Sequence, residues 1–238
     1  MSTPEEEIAA LAEQPVRASV AGPILVINPN SNEAVTEGLC DALAGFRAPG
    51  WPLIECVTLA EGPFGIESQV DSDAVVMPLV RLVESRADAA AHVIACYSDP
   101  GLDACRSVSE APVFGIQEAG VLSAMARGDR FGVIAIAAPS VARHRRFMRR
   151  MGVLERLAGE RALDMSVDET ARGADTFDRL VTVGEELAAD GADVVVLGCA
   201  GMARHRAALA LALGLPVIDP VQAAVAMALG AVLPAALG

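Results

Sequence analysis

The chain contains the segment Ala91-His92-Val93-Ile94-Ala95-Cys96-Tyr97-Ser98-Asp99-Pro100-Gly101-Leu102, in which an apolar run passes into a polar turn. The apolar run is typical of a short buried strand, and residues 98–101 are turn formers that precede a helix-compatible stretch. Cys96 therefore falls where a strand leads into a helix, which is where α/β proteins place their chemistry.

A second cysteine occupies the same kind of junction further along the chain. It lies in Val194-Val195-Val196-Leu197-Gly198-Cys199-Ala200-Gly201-Met202, which again predicts a strand, a turn of small residues and a helix. The main hypothesis is therefore that these two cysteines, which share one structural context, have a function.

The two cysteine segments belong to an internal repeat. Four landmarks recur in the same order: residues 24–31 align with 132–140, residues 53–59 with 163–167, the two cysteine strands with each other, and the strand that begins at Pro112 with the one that begins at Pro216. We therefore predict an α/β fold of two pseudo-symmetric parallel-sheet, flavodoxin-like domains with the active site in the cleft between them. Cys96 and Cys199 would approach a ligand there from opposite sides.

The expected domain boundaries follow from the repeat. Residues 1–21 are predicted to be a flexible N-terminal extension, residues 22–118 plus 221–238 the first domain, and residues 119–220 the second. Within the second series, Ala162 to Val167 predicts a weak strand. Within the first, Asp71 to Arg86 predicts a helix that Pro78 should kink or restart.

Charge and composition limit the partners. The formal net charge of −13 excludes nucleic acid and anionic membrane, since both need clustered Lys and Arg. The weakly polar stretch from Val221 to Leu237 is too short and too interrupted for a membrane span. A small-molecule substrate is the expected partner.

Cysteine usage indicates the compartment. The five cysteines are odd in number, lack C-x-x-C spacing and follow an acidic N-terminus without a basic leader. We therefore expect reduced thiols and a cytoplasmic location. No metal site is expected, because the three histidines stand at no ligand spacing from the cysteines. Cys40, Cys56 and Cys105 lie inside helix or strand patterns and are interpreted as core or helix-surface residues.

A thiol at a strand-to-helix junction has a possible chemical role. The helix dipole and free backbone N–H groups are expected to lower its pKa toward neutrality. Such a thiolate can take a proton from carbon while a facing thiol delivers one to the opposite face, which inverts a stereocentre without metal or coenzyme. The alternative is that both cysteines are small buried hydrophobes.

Several residues are candidates for holding the substrate. They lie in the polar turn after the first strand and in the two cysteine turns, where amides, hydroxyls and backbone N–H groups could hold a polar ligand or the charge of an enolate: Asn28, Asn30, Ser31, Tyr97, Ser98, Ala200, Gly201 and Met202. Asn and Ser are also ordinary turn and cap residues. The basic run from Arg143 to Arg150 is interpreted as a solvated or subunit-contacting face, Asp99 as a cap of the following helix, and Glu118 as a ligand contact, an arginine partner or an exposed carboxylate.

The residues resemble the aspartate/glutamate/hydantoin racemase superfamily, and within it the hydantoin and allantoin racemases. The resemblance rests on these segments: Val26 to Ser31, Gly62-Pro63 with Ile66-Glu67-Ser68, Ala95 to Leu102, Pro112 to Ala119, and Gly198 to Met202. It implies a cofactor-independent racemase with Cys96 and Cys199 as the two acid/base residues. It also implies a homo-oligomer and a substrate that is a 5-substituted hydantoin or allantoin.

One departure bears on the substrate. Family members often carry hydroxyl residues where this chain has Ile136-Ala137-Ala138-Pro139-Ser140, and a less polar pocket would suit a bulkier or more apolar C5 substituent. Other reactions of the superfamily remain alternatives: amino-acid racemisation, cis/trans isomerisation of a diacid, or decarboxylation of a malonate. A non-catalytic ligand-binding module is the alternative from a different class.

Overall fold

The computed structural model describes residues 22–172 and 175–237; the predicted N-terminal extension, residues 1–21, lies outside the described residues. The described chain forms two four-stranded parallel sheets, with strand orders β2-β1-β3-β4 and β6-β5-β7-β8. The strands are β1 (Ile24–Asn28), β2 (Ile54–Thr58), β3 (Ala91–Ile94), β4 (Val113–Gly115), β5 (Phe131–Ala135), β6 (Leu157–Ala162), β7 (Val194–Gly198) and β8 (Val217–Ile218). The identical orders confirm the predicted repeat and the α/β fold class. The predicted domain boundaries stay a prediction.

Helices connect the strands of both sheets. They are α1 (Glu33–Ala42), α2 (Gln69–Ala74), α3 (Val76–Ser85), α4 (Leu102–Val108), α5 (Ile116–Met125), α6 (Ala138–Arg150), α7 (Val167–Arg172), α8 (Thr176–Ala189), α9 (Arg206–Leu213) and α10 (Pro220–Leu237), with a 3₁₀ helix at Ala200–His205. Parallel strands require such crossovers, because the chain must return to the same end of the sheet.

The central strands of each sheet are apolar throughout because helices cover both of their faces. Every residue of β1, β3, β5 and β7 is buried. One helix from each half covers the sheet of the other half. Helix α5 follows β4 but packs against β7, whereas α10 follows β8 but packs against β1, β3 and β4. Helices α5 and α10 also pack against each other, so they form a shared layer between the two sheets.

The prediction of a strand at Ala162 to Val167 is wrong. The strand is β6, which ends where the predicted one begins, and β6 rather than residues 163–167 is the counterpart of β2. β6 is an edge strand that carries Glu160 and Arg161 and is only half-buried, so it lacks the apolar pattern of a central strand. Leu163 and Val167, which suggested a strand, are buried from the following loop and from the start of α7.

The predicted helix over Asp71 to Arg86 is two helices. The chain restarts at Val76, so Pro78 lies in the first turn of α3, where its missing N–H is not needed. None of the described helices combines the length and the apolar character that a membrane crossing requires.

Candidate active site

The two cysteine turns have matching backbone geometry. Cys96 follows β3, and its carbonyl accepts a hydrogen bond of 2.9 Å from the N–H of Asp99. Cys199 follows β7, and its carbonyl accepts one of 3.2 Å from the N–H of Met202. In each turn the N–H two residues after the cysteine, from Ser98 or Gly201, donates to the cysteine sulfur. The repeat therefore extends from the sheets to the environment of each sulfur.

Both cysteines line one cavity between the two halves. About 30 Å³ of this cavity is open to the centre of a water molecule, and both thiols are partly exposed to it. Its wall is contributed by segments that follow the strands of both sheets, and it includes Asn30 after β1, Ile66 after β2, Ile136 and Ser140 after β5, and Val167 after β6. The cavity therefore lies at the carboxyl edges of both sheets, as expected for parallel-sheet proteins.

The structure brings some of the predicted binding residues together and leaves others apart. Asn30, Tyr97, Ser98 and Ala200 line the cavity with the cysteines. The remaining four do not: Asn28, Ser31, Gly201 and Met202. Gly201 still contacts the site through its N–H to Cys199, whereas Met202 is buried in the second core.

Asn28 has a structural role that explains its position outside the cavity. Its side chain is fully buried, and its amide donates to the Asn30 side chain at 3.0 Å, to the Asn32 carbonyl at 3.1 Å and to Thr36 at 3.1 Å. Asn30 accepts from both Asn28 and the Asn32 N–H through its side-chain oxygen. The Asn30 amide nitrogen is therefore the group of this turn that can donate to a ligand.

The expectation that each cysteine thiol has a lowered pKa is wrong, because the pKa of both thiols is raised. Burial raises the pKa of Cys96 to about 11, because it outweighs the stabilising Ser98 N–H, and the nearby Cys199 raises it further. Burial also raises the pKa of Cys199, against the Gly201 N–H and the Thr170 hydroxyl. Because burial is the largest cause of both shifts, both thiols are mostly protonated at neutral pH.

The charges around the two thiols differ. Arg143 lowers the pKa of Cys96 by its positive charge, whereas Asp99 raises it. Around Cys199 the charged neighbours are carboxylates: Asp219 and Glu67 both raise its pKa. Thr170, whose hydroxyl oxygen lies 3.8 Å from the Cys199 sulfur, is a neutral partner that Cys96 lacks.

Arg143 is a site residue that the sequence did not indicate. The charge pattern of the run from Arg143 to Arg150 predicts a solvated or subunit-contacting face, yet Arg143 lines the cavity and donates from Nε to Ser98 Oγ at 2.8 Å. It stands one turn into the helix that follows β5, so its side chain reaches the carboxyl edge of the second sheet. Position relative to the strand, rather than local charge pattern, is the signal that could have identified it.

A buried contact between a histidine and a glutamate supports the wall of the cavity beside Tyr97. The Nδ1 atom of His144 lies 2.6 Å from Oε1 of Glu160, and both side chains are almost completely buried. The Tyr97 ring packs edge-on against the His144 ring at a centroid distance of 4.9 Å. Because each group fixes the next, the orientation of Tyr97 next to Cys96 is set by the second half of the molecule.

Asp99 caps a helix, but not the following one. Its two carboxylate oxygens accept hydrogen bonds of 2.9 Å from the N–H groups of Gln117 and Glu118, at the start of α5. A side chain at Gly115 would overlap the Asp99 carboxylate, so glycine is required for this close approach. Glu118 itself pairs with Arg106 at 2.5 Å, which is the arginine partner foreseen among its alternatives.

Within residues 22–172 and 175–237, no group of three or more His, Cys, Asp or Glu side chains is placed to hold a metal ion. The residues that line the cavity offer two thiols, an amide, hydroxyls, an imidazole and a guanidinium as chemical groups.

Comparison with known proteins places this arrangement in a family. The family model described as Asp/Glu/Hydantoin racemase matches residues 24–228. The chain belongs to this family. The resemblance found in the sequence is thereby confirmed, and the segments that carried it lie within the matched range.

Individual members of the racemase family are similar over most of their length. A hydantoin racemase from Paenarthrobacter aurescens is 37% identical over 211 residues, covering 84% of this chain and 87% of that protein. An allantoin racemase from Klebsiella pneumoniae superposes with a TM-score of 0.84 at 30% identity, covering 90% and 89% of the two chains. An allantoin racemase from Pseudomonas fluorescens superposes with a TM-score of 0.83 at 27% identity, covering 90% of this chain and 92% of that chain. These relatives support an isomerase, specifically a racemase, as the sequence predicted.

Proposed function

We propose that this chain is a cofactor-independent racemase of 5-substituted hydantoins or allantoin-like carbon acids, and that it acts by two-base proton transfer between Cys96 and Cys199. The observation that carries the proposal is that both thiols line one cavity from matching turns of the two halves. The names of the relatives supply the substrate class, since they are hydantoin and allantoin racemases.

The proposed reaction needs one thiolate and one thiol. The thiolate takes the proton from C5 of the ring, so that the C–H bond breaks, an S–H bond forms, and the electron pair moves into the neighbouring carbonyl as an enolate. The opposite thiol then gives its proton to the other face of C5, and the carbonyl re-forms. The product is the mirror-image ring, and the two cysteines have exchanged protonation states.

Donors around the cavity can stabilise the enolate oxygen. The Asn30 amide, the Ser98 hydroxyl and the Arg143 guanidinium all line it, and fixed donors of this kind stabilise charge that develops in a transition state. Ile66, Ile136 and Val167 line the same cavity, and their apolar surfaces strengthen such interactions by excluding water.

The test is loss of optical rotation across a panel of single enantiomers. The panel contains 5-isobutyl-, 5-benzyl- and 5-(2-methylthioethyl)hydantoin, allantoin, aspartate and glutamate, with dialysed protein, EDTA and no added coenzyme. We expect racemisation of at least one hydantoin or of allantoin above the spontaneous rate, and none of the amino acids. Racemisation of aspartate or glutamate alone would contradict the proposed substrate class, and loss of activity with EDTA would contradict cofactor independence.

A further inference from the structure

A groove adjoins the cysteine cavity and shares two of its residues. About 220 Å³ of the groove is open to the centre of a water molecule, and it runs between α6 and the loop that follows Cys96. Ser98 and Arg143 line both the cavity and the groove. A molecule whose reacting carbon lies between the thiols could therefore extend a substituent past Arg143 into this space.

Arg143 is held in place by neutral groups. Its Nε donates to Ser98 Oγ at 2.8 Å and its Nη2 to Ser140 Oγ at 3.4 Å, and Ser140 is fully buried. A guanidinium has five N–H donors, and these bonds use two of them. The others remain available at the boundary between cavity and groove.

Arg143 also differs from Arg145 and Arg150 of the same helix in the carboxylates near its guanidinium. Arg150 pairs with Asp103 at 2.6 Å, and Arg145 lies 3.9 Å from Glu160. No described carboxylate lies within 4.0 Å of the Arg143 guanidinium. Asp71 is near enough for the charge of Arg143 to lower its pKa, but its carboxylate accepts hydrogen bonds from Ser68, so the half-buried guanidinium can still bind an anion from outside the protein.

The carboxylates that line the groove accept hydrogen bonds from groups other than Arg143: Asp73 accepts from the Gln69 amide, Asp99 from the start of α5, and Asp103 from Arg150. Three arginines line the groove beside these three aspartates, so its formal charges balance. Of the three arginines, Arg143 also lines the cysteine cavity, so its guanidinium is the positive charge that a molecule between the thiols meets.

We propose that this groove is a subsite for a carboxylate on the C5 substituent, and that Arg143 is the residue that selects it. The inference rests on the proposed racemase function and narrows its substrate class to hydantoins with a short acidic side chain. It replaces the expectation of an apolar substituent, which depended on residues 136–140 without the arginine that follows them.

The test compares two substrates that differ in charge and not in shape. They are 5-(2-carboxyethyl)hydantoin and its amide, 5-(2-carbamoylethyl)hydantoin, and the readout is kcat/KM for racemisation of one enantiomer after subtraction of the spontaneous rate. For the wild-type enzyme we expect the acid to be preferred about tenfold, since hydrogen bonds to charged groups are the stronger ones. Raising the ionic strength should increase KM for the acid and leave KM for the amide nearly unchanged.

Variants on one helix supply the control. Arg143→Gln should reduce the acid-to-amide ratio to about one or below, whereas Arg143→Lys should retain part of it. Arg149→Gln removes an exposed arginine of the same helix that lines neither space, and it should leave the ratio unchanged. Thermal unfolding followed by circular dichroism checks that each variant is folded.

The outcomes separate the subsite from the racemase proposal. A wild-type enzyme that racemises 5-isobutylhydantoin but shows no preference for the acid over the amide would overturn the subsite alone, whatever the variants do. The same conclusion would follow if Arg143→Gln slowed both substrates equally. If no hydantoin and no allantoin were racemised, the proposed function itself would fail.

Discussion

The two cysteine turns share a backbone but not their side chains. Each sulfur accepts an N–H from the second residue after it, and each cysteine carbonyl accepts from the third. At that third position, however, the first turn has the buried carboxylate of Asp99 and the second has the apolar side chain of Met202. The repeat has kept the scaffold while the chemistry around each sulfur has diverged.

This difference has a consequence for the thiols. A guanidinium faces Cys96, whereas a hydroxyl and two carboxylates surround Cys199. Positive charge favours the thiolate and negative charge the thiol. Arg143 thus opposes the burial that raises the pKa of Cys96, while Asp99 and the charge of Cys199 add to it; at Cys199 the Thr170 hydroxyl opposes burial and the two carboxylates.

Replacing either cysteine should have the largest effect. Cys96→Ala and Cys199→Ala should each lower racemisation by about a thousandfold, because two-base inversion needs a proton acceptor on one face and a donor on the other. Cys96→Ser and Cys199→Ser should each exchange the C5 proton of only one enantiomer in D₂O, and the enantiomer should differ between them. Proton NMR of the C5 signal measures this directly.

Cys40→Ala is the matched control for the cysteine variants. Cys40 is a partly exposed thiol on α1 that does not line the cavity, so its removal should leave racemisation intact. Wild-type rates in both alanine variants would contradict the two-base mechanism.

Asp99 should matter more for stability than any exposed acid near it. Asp99→Ala leaves two N–H groups of α5 without their acceptor and places alanine at a left-handed φ of 43°, and we expect it to lower the free energy of unfolding by about 3 kcal/mol. Asp99→Asn keeps one acceptor and tolerates that φ, so its cost should be about 1 kcal/mol. Urea unfolding measures both.

Asp103→Ala is the comparison for Asp99. Asp103 lies in the first turn of α4, and its ion pair with Arg150 is largely exposed. We therefore expect Asp103→Ala to lower the free energy of unfolding by less than about 0.5 kcal/mol. Equal losses for Asp99→Ala and Asp103→Ala would show that the cap at α5 does not stabilise the Cys96 turn.

Alkylation should reveal the smaller difference between the two thiols. Both pKa values are raised, so the thiolate fraction, and with it the iodoacetamide rate, should increase about tenfold per pH unit between pH 7 and 9. Arg143→Gln should slow alkylation of Cys96 about threefold, and Thr170→Val should slow that of Cys199 by a similar factor. Peptide mass spectrometry assigns each rate to its cysteine.

The two variants in the alkylation experiment serve as controls for each other. If Arg143→Gln slowed both thiols equally, the guanidinium would not distinguish them. A rate that did not change with pH would show that the raised pKa values do not govern reactivity.

Much of the fold could be predicted because the buried strands carry their own signal. Apolar runs such as Ile24 to Ile27 and Val194 to Leu197 are required only of a strand that is covered on both faces. The cysteine turns follow two strands of this kind, β3 and β7. Edge strand β6 could not be found in this way, since it carries two charged residues: Glu160, which is buried against His144, and Arg161, which is partly exposed.

The site was less predictable because it depends on contacts between distant segments. Asn28 and Asn30 look equivalent in the sequence, yet only Asn30 lines the cavity, and the Asn28 amide is used by Asn30, Asn32 and Thr36. Arg143 reaches the Cys96 turn only after the two halves have packed together, and Thr170 reaches Cys199 from a segment 29 residues earlier in the same half. Local pattern cannot distinguish such residues from their neighbours.

The exchanged helix cover has a consequence for synthesis of the chain. Sheet β2-β1-β3-β4 is translated before α10, whose Val221, Ala224, Val225 and Ala228 belong to the same hydrophobic core. The first half therefore leaves the ribosome with an apolar face that stays uncovered until α10 emerges. Cotranslational folding must include a late step in which α10 docks onto a sheet that was synthesised well before it.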